Sequence, residues 1–213
     1  MTYLLRVVLP DRPGMLGAIA TAIGDAGADI VSLDVVERGP EGAVDDLLVQ
    51  LPPGGLADGL ITAAQSIPGV VVESLRPYLG ADDLHRDLEL VDELAADPGA
   101  GLQVLADLAP GVFRAGWALI AAPDGVRAAS RGAPTEVPLT WLPLTAARRM
   151  DPGEQWVPEG WNALGAELMA APVGSPDRVI LVGRPGGPRF RASEVLRLAH
   201  LAGIAATVVS VPA

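Results

Sequence analysis

The sequence of 213 residues is 50% hydrophobic and carries a formal net charge of −11, which is enough apolar material for one large domain or two small ones. All 15 basic residues are arginines, and neither lysine nor cysteine occurs. These absences exclude an enzyme that forms a Schiff base through its own lysine, a phosphate-loop lysine, a thiol nucleophile, disulfides and thiolate metal sites.

The acidic charge balance also limits the partners of the protein. A nucleic-acid surface or an anionic membrane surface needs a basic patch, so we expect neither partner. The two histidines, His85 and His200, are too few for a His-rich metal site, and we predict no metal and no cofactor. The chain start lacks the features of a targeting segment, and the least charged stretch, residues 198–213, is short for a membrane helix. We therefore expect a cytoplasmic protein.

Alternation and turn residues predict the elements of the first eighty residues. Tyr3–Leu9 alternates like a strand, and Pro13 suits the first position of a helix that Gly27 ends. The next predicted elements are strands at Asp29–Arg38 and Ala43–Leu51, a helix at Leu56–Ile67 and a strand at Val70–Arg76. The order β-α-β-β-α-β is that of a ferredoxin-like α+β domain, with both helices on one face of an antiparallel sheet.

The first turn and the start of the second strand resemble those of an ACT domain. The matching residues are Asp11, Arg12, Pro13, Gly14 and Leu16, followed by Gly27, Asp29 and Ile30. The resemblance covers residues 2–78 and implies a small regulatory module that binds an amino acid, usually at a dimer interface.

The chemistry of the turn independently suits an amino acid. Unpaired amides at a helix start attract a carboxylate, and Gly14 lets a ligand approach the backbone. Asp11 or Asp29 would accept the ammonium group, and apolar side chains would line the rest. The residues predicted to bind the ligand are Leu9, Asp11, Arg12, Pro13, Gly14, Met15, Leu16, Asp29 and Ile30.

The same turn also has a purely structural interpretation. Pro-Gly before a helix is common turn chemistry, and Asp11 would then only satisfy local amides. ACT domains that bind serine commonly carry Asn or His where this chain has Leu9, Asp11 and Asp29. Two acids would repel a carboxylate, so they favour either a ligand with extra positive charge or a vestigial site.

The second half begins with an acidic amphipathic segment. Residues 80–98 are predicted to form a linker helix whose apolar stripe is Leu84, Leu88, Val91 and Ala95, followed by a helix at Gly101–Leu108 that Pro110 ends. Predicted strands cover Ala115–Ala122, Val126–Arg131, Leu164–Ala171 and Arg178–Arg184. Residues 132–163 are predicted to be irregular with a short helix near Thr145–Arg149, and the last helix is Ala192–Val208, capped by Ser193 or the residue before it.

This half resembles a GAF domain over residues 84–211, through the Trp-bearing strand, the Asp-Gly hairpin and the final helix. The resemblance implies a GAF-like antiparallel sheet flanked by helices. We therefore divide the chain into an ACT domain at 1–79, a linker helix at 80–98 and a GAF-like domain at 99–213. Trp117, Trp141, Trp156 and Trp161 lie in the last of these, as core filling or as walls of a pocket.

These observations predict a non-catalytic, allosteric amino-acid sensor. The last helix is apolar almost all round, with His200 in the core or an interface, which predicts burial and a homodimer. The response would pass to a separate biosynthetic enzyme or regulator. One alternative is a structural or interaction module with a vestigial site. A third is an enzyme that uses an acid pair from Glu136, Asp151, Glu154 and Glu159.

Overall fold

A computed structural model describes residues 1–40, 42–78, 86–163 and 165–210. The chain divides into two compact units, unit 1 at Met1–Ala81 and unit 2 at Asp82–Ala213. Each unit has its own antiparallel sheet. Predicted features at Leu84 and His85 lie outside the described residues.

Unit 1 contains the predicted β-α-β-β-α-β order. Its sheet has the strand order β2-β3-β1-β4, and all neighbouring strands are antiparallel. The elements are β1 (Thr2–Leu9), α1 (Met15–Asp25), β2 (Asp29–Gly39), β3 (Gly42–Gln50), α2 (Ala57–Gln65) and β4 (Val71–Pro77).

One face of the unit 1 sheet holds the core with both helices. Val7 and Leu47 of the strands pack in one buried cluster with Ile19 of α1 and Leu60 of α2. Side chains alternate between the two faces along a strand. Asp45 of β3 is paired with Val7 of β1, so Asp45 points to the helix face as Val7 does. This places an acid among apolar neighbours.

The start of α1 differs from the sequence expectation. The predicted first helical residue was Pro13, but the helix begins at Met15 because Gly14 is left-handed, with φ of 91°. A residue in that conformation cannot continue a right-handed helix. The predicted stop at Gly27 is confirmed by its φ of 78° and by the hydrogen bond from Ala28 N to Ile23 O.

Unit 2 is a five-stranded antiparallel sheet of order β6-β5-β9-β8-β7 with its long helices on one face. The helices are α3 (Arg86–Ala96), a 3₁₀ turn (Pro98–Ala100), α4 (Gly101–Val112), α5 (Glu159–Ala163) and α6 (Ala192–Val209). The strands are β5 (Trp117–Ala122), β6 (Gly125–Ala129), β7 (Arg148–Met150), β8 (Glu167–Ser175) and β9 (Arg178–Arg184).

The other face of this sheet is covered by the tryptophans. Trp117 lies 5.1 Å from Trp161 between ring centroids, and Trp141 lies 5.2 Å from Trp156. They pack in one cluster with strand residues of β5, β8 and β9. Gly183 makes room for this cluster, because a Cβ atom there would lie 2.2 Å from the Trp117 ring. The indoles thus act as core filling.

Three local expectations for unit 2 were wrong. The short helix near Thr145–Arg149 is replaced there by β7, because Arg148–Met150 pairs with β8. Pro110 lies inside α4, where the last turn continues past it with Phe113 N bonded to Ala109 O. The fully buried side of α3 is Leu90 and Leu94, which join the core of unit 2, and Val91 of the predicted stripe packs against that core. The predicted stripe residue Leu88 is 63% exposed.

Helix α6 covers its own sheet with one face, as predicted, and its other faces are exposed in the single chain. Leu198, Leu201 and Ala205 belong to the core, whereas Leu196 is 58% exposed and His200 is also exposed. Its N-cap is Arg191, since the Glu194 side chain accepts from the Arg191 amide.

Within the described residues, α6 is the helix that meets the length and apolarity needed to cross a membrane. A core helix of a folded domain meets the same two conditions. The Leu198 side of α6 packs on the sheet as such a helix does.

Candidate functional site

The turn between β1 and α1 encloses a cavity of about 300 Å³, which we call the turn cavity. This volume lies at the lower end of the range for small-molecule sites, about 300–1,000 Å³. It is lined by Leu9, Pro10, Asp11, Arg12, Pro13, Gly14, Met15, Leu16, Arg38, Ala43 and Asp45.

One wall of the turn cavity is the N-terminal end of α1. The first-turn amides of a helix have no partner within the helix, and they carry partial positive charge. The N-cap, Gly14, has no side chain with which to satisfy them, and no side-chain cap is formed. The Met15 amide donates to Arg12 O at 3.4 Å, so a ligand carboxylate would accept hydrogen bonds from the next amides of this turn, those of Leu16 and Gly17.

A buried carboxylate, Asp45, also lines the turn cavity. The residue is only 1% exposed. Its Oδ1 atom has no hydrogen-bond partner among the residues that the structure describes. Burial raises the pKa of Asp45, Arg38 lowers it in part, and the neighbouring carboxylates Asp46 and Asp11 raise it further. The site thus holds a buried carboxylate with one oxygen, Oδ1, that has no hydrogen-bond donor among the described residues.

The rim of the turn cavity carries charges of both signs. Arg38 Nε lies 4.0 Å from Asp11 Oδ1, and both side chains are largely exposed, so this pair contributes little to stability. Arg12 Nε lies 3.3 Å from the sulfur of Met15, which contributes an apolar side chain to the cavity lining. The rim charges are therefore free to rearrange around a ligand.

Seven of the nine predicted ligand residues line the turn cavity, and two do not. Asp29 pairs with Gln50, whereas Leu9 pairs with Ala43, seven residues away on β3. At about 3.3 Å per residue, the start of β2 is roughly 23 Å from the turn within one chain. Ile30 instead packs against the core of unit 1.

Sequence reasoning missed Arg38 and Asp45. The signal for Asp45 was an Asp-Asp pair inside the otherwise apolar strand β3, because adjacent strand residues point to opposite faces and one acid must face the core. Its neighbour Asp46 is bound by Arg6 on the other face, with 2.7 Å between Arg6 Nε and Asp46 Oδ1. Arg38 gave no comparable signal.

The acids considered for catalysis in unit 2 include a structurally engaged carboxylate. Glu154 accepts from Arg148 Nη1 at 3.0 Å and from Trp156 Nε1 at 2.8 Å. These hydrogen bonds lower the pKa of Glu154. A general acid needs a raised pKa, so Glu154 is poorly suited to that role. Asp151 accepts from the amide of Gly153 and shapes the same turn.

Replacing Asp45 by asparagine is expected to stabilise unit 1 at neutral pH. The raised pKa means that the folded state disfavours the ionised carboxylate, so the wild type is penalised above that pKa and regains stability as the pH falls toward the ordinary value of 3.8. The stability difference between Asp45→Asn and wild type should therefore be largest near pH 7 and shrink on acidification. Chemical denaturation at several pH values measures this.

The control for that series is Asp25→Asn, which removes an exposed carboxylate at the other end of α1. It is expected to change the free energy of unfolding little, because surface substitutions usually have small effects. An Asp45→Asn protein that is less stable than wild type near pH 7, with no trend toward acid, would contradict the assigned burial cost.

Comparison with known proteins finds one family match, which lies within unit 1. Residues 3–57 match the family model described as the ACT domain. This range includes α1, β2, β3, the turn cavity and all of β1 except Thr2. An ACT domain implies a regulatory role that depends on binding a small ligand. No curated protein matches the chain.

Two solved structures show limited similarity. A formyltetrahydrofolate deformylase from Pseudomonas putida KT2440 is 11% identical with a TM-score of 0.29, over 45% of this chain and 38% of the deformylase chain. An unknown protein from Galdieria sulphuraria is 13% identical with a TM-score of 0.33, over 94% of this chain and 90% of that one. Neither likeness is close enough to support a functional argument.

Proposed function

We propose that this protein is a non-catalytic regulator whose unit 1 binds a free amino acid in the turn cavity. The observation that carries the proposal is the uncapped N-terminus of α1, which opens into a cavity of amino-acid size inside the region that matches an ACT domain. The ligand carboxylate accepts from the first-turn amides, and Leu9, Met15 and Leu16 contact its apolar atoms.

A second copy of the chain would complete the site. Strand β2 is an edge strand of 11 residues, and its Val31, Leu33 and Val35 are exposed. Exposed edge strands pair readily with another chain. Antiparallel pairing of two β2 strands about residue 34 would place the partner's Asp29 beside Gly39, next to Arg38 of the turn cavity. In such a homodimer, the partner subunit's Asp29 and Ile30 would make the ligand contacts predicted for these residues.

Unit 2 and the equilibrium of the dimer would transmit the signal. We infer that unit 2 is GAF-like, since its antiparallel sheet with helices α3, α4 and α6 on one face is compatible with that fold. Ligand binding would shift an existing equilibrium of the dimer by its differential affinity. The response would reach a separate biosynthetic enzyme or regulator in the cytoplasm, without nucleic acid or membrane as partner.

A thermal-shift screen against the twenty amino acids tests the ligand. At 100 times its dissociation constant, a ligand that binds only the folded state adds about 2.7 kcal/mol. For a domain the size of unit 1, this raises its melting temperature by more than about 10 °C. No shift under conditions that detect millimolar binding would remove the sensor function and leave the interaction module as the alternative.

A pair of glycine variants localises the effect. Gly14→Val adds a branched side chain at the amides of α1 and is expected to abolish the shift. Gly54→Val is the matched control, because Gly54 also has a positive φ, 81°, with no atom near its Cβ position, and it lies outside the turn cavity. Both variants lose stability through backbone strain, about 1–3 kcal/mol each, so only the ligand response separates them.

A further inference from the structure

The turn cavity is lined by a buried carboxylate, Asp45, that is not fully hydrogen-bonded within the fold. Asp45 sits on the helix face of β3, between cross-strand neighbours Val7 and Val35. Its Oδ1 atom is buried and has no hydrogen-bond partner among the described residues. Buried acids of folded proteins are normally paired or hydrogen-bonded, since an unpaired one destabilises the fold. The exception indicates a group that meets its partner only when a ligand is bound.

The partner that suits Asp45 is a cation with hydrogen-bond donors. Arg38 belongs to the same cavity, but its side chain is 61% exposed and it lies near Asp11 at the rim. Metal binding is a poor fit, because the described residues contain no group of three or more metal-ligating side chains. An ammonium group supplies positive charge and up to three donors within a small volume.

We propose that the inner end of the turn cavity is a subsite for a protonated amine, held by the carboxylate of Asp45. The inference rests on the proposed function in that the amine belongs to the bound amino acid, as its α-ammonium or as a basic side chain. Asp45 thereby determines specificity. Ligands that place a second carboxylate there, such as aspartate or glutamate, are excluded by repulsion from Asp45 and Asp11.

The subsite also couples binding to pH. The amine binds the ionised form of Asp45, so affinity falls when acid protonates that carboxylate. The charged groups that act on Asp45 are Arg38 from β2, Asp11 from the turn after β1 and, from the opposite face of the sheet, the adjacent Asp46 on β3. Arg12 also lines the same cavity from the turn. The pH dependence therefore includes these groups, and the Asp45→Asn variant isolates the contribution of Asp45.

The experiment is isothermal titration calorimetry of the full chain at neutral and mildly acidic pH. The probes are L-arginine, L-alanine, L-glutamate and agmatine, which is arginine without its carboxylate, together with any amino acid that shifts the melting temperature. The variants are Asp45→Asn and the control Asp25→Asn, whose folding is checked by thermal melting. We expect Asp45→Asn to weaken the bound amine about 10- to 150-fold, the range for a hydrogen bond to a charged group.

The outcomes distinguish a failure of this inference from a failure of the proposed function. Loss of affinity in Asp45→Asn but not in Asp25→Asn, with a weaker pH dependence, supports both. An amino acid that binds wild type and Asp45→Asn equally overturns the amine subsite and leaves the amino-acid sensor. Asp45-dependent binding of agmatine without binding of any amino acid supports the subsite and overturns the sensor. If none of the amino acids or amines binds wild type, both proposals are overturned.

Discussion

Replacing Arg6 by methionine is expected to lower the free energy of unfolding of unit 1 by about 3–5 kcal/mol. Arg6 is almost fully buried and binds Asp46 with two hydrogen bonds, 2.7 Å from Nε and 2.8 Å from Nη2. Methionine fills similar volume but removes the positive charge that Arg6 places beside the buried Asp46 carboxylate. Chemical denaturation of Arg6→Met and wild type, followed by circular dichroism, measures the loss.

Two further variants separate lost charge from lost packing. In Arg6→Met with Asp46→Leu, both charges are removed, and most of the stability should return because an apolar pair often replaces a buried ion pair without loss. Arg12→Met is the surface control, since Arg12 is exposed and surface substitutions usually have small effects. A double variant as unstable as Arg6→Met would show that the ion pair is not the cause.

The corresponding variant of unit 2, Arg184→Met, is expected to cost a similar amount, about 3–5 kcal/mol. Arg184 Nη2 donates to Glu194 Oε1 at 2.6 Å, and Nη1 donates to the carbonyl of Pro188 at 2.9 Å. The guanidinium also lies 3.9 Å from the centre of the Phe190 ring. Methionine leaves Glu194 buried without this counter-charge. Denaturation monitored by tryptophan fluorescence reports on unit 2, because all four tryptophans lie there.

The control for unit 2 is Arg197→Met. Arg197 also pairs with an acid, Asp87, at 2.6 Å, but both side chains are largely exposed to solvent. Its loss should cost less than about 1 kcal/mol. If Arg184→Met and Arg197→Met were equally mild, burial would not be what makes the Arg184 pair important.

The sensor proposal can be tested independently of these core pairs. Arg6 lies on the sheet face away from the helices, whereas Asp45 and the turn cavity lie on the helix face. Stability variants at Arg6 and ligand variants at Gly14 and Asp45 therefore probe different properties of the same domain. A ligand response in the Arg6→Met with Asp46→Leu double variant is expected to match that of wild type.

Local sequence determined most of unit 1. Alternation, helical spacing and turn residues such as Gly27 specify each element through interactions within a few residues, so the β-α-β-β-α-β order could be read directly. The same local chemistry predicted the turn from Asp11 to Leu16, and the residues of this turn line the turn cavity. In unit 2, the weak local signal near Thr145–Arg149 was overridden by pairing of Arg148–Met150 with β8.

The remaining features depend on contacts between distant parts of the chain. Arg38 and Asp45 reach the turn cavity because β3 pairs with β1 and β2 pairs with β3, and only the strand register decides which acid of Asp45 and Asp46 faces the helices. Likewise, the buried side of α6 is set by the sheet on which it packs, and the buried side of α3 is set by its packing on α4 and α6. The sequence by itself determined the elements and the turn; the tertiary structure decided the charges that surround the cavity, since charge placement follows from register and packing.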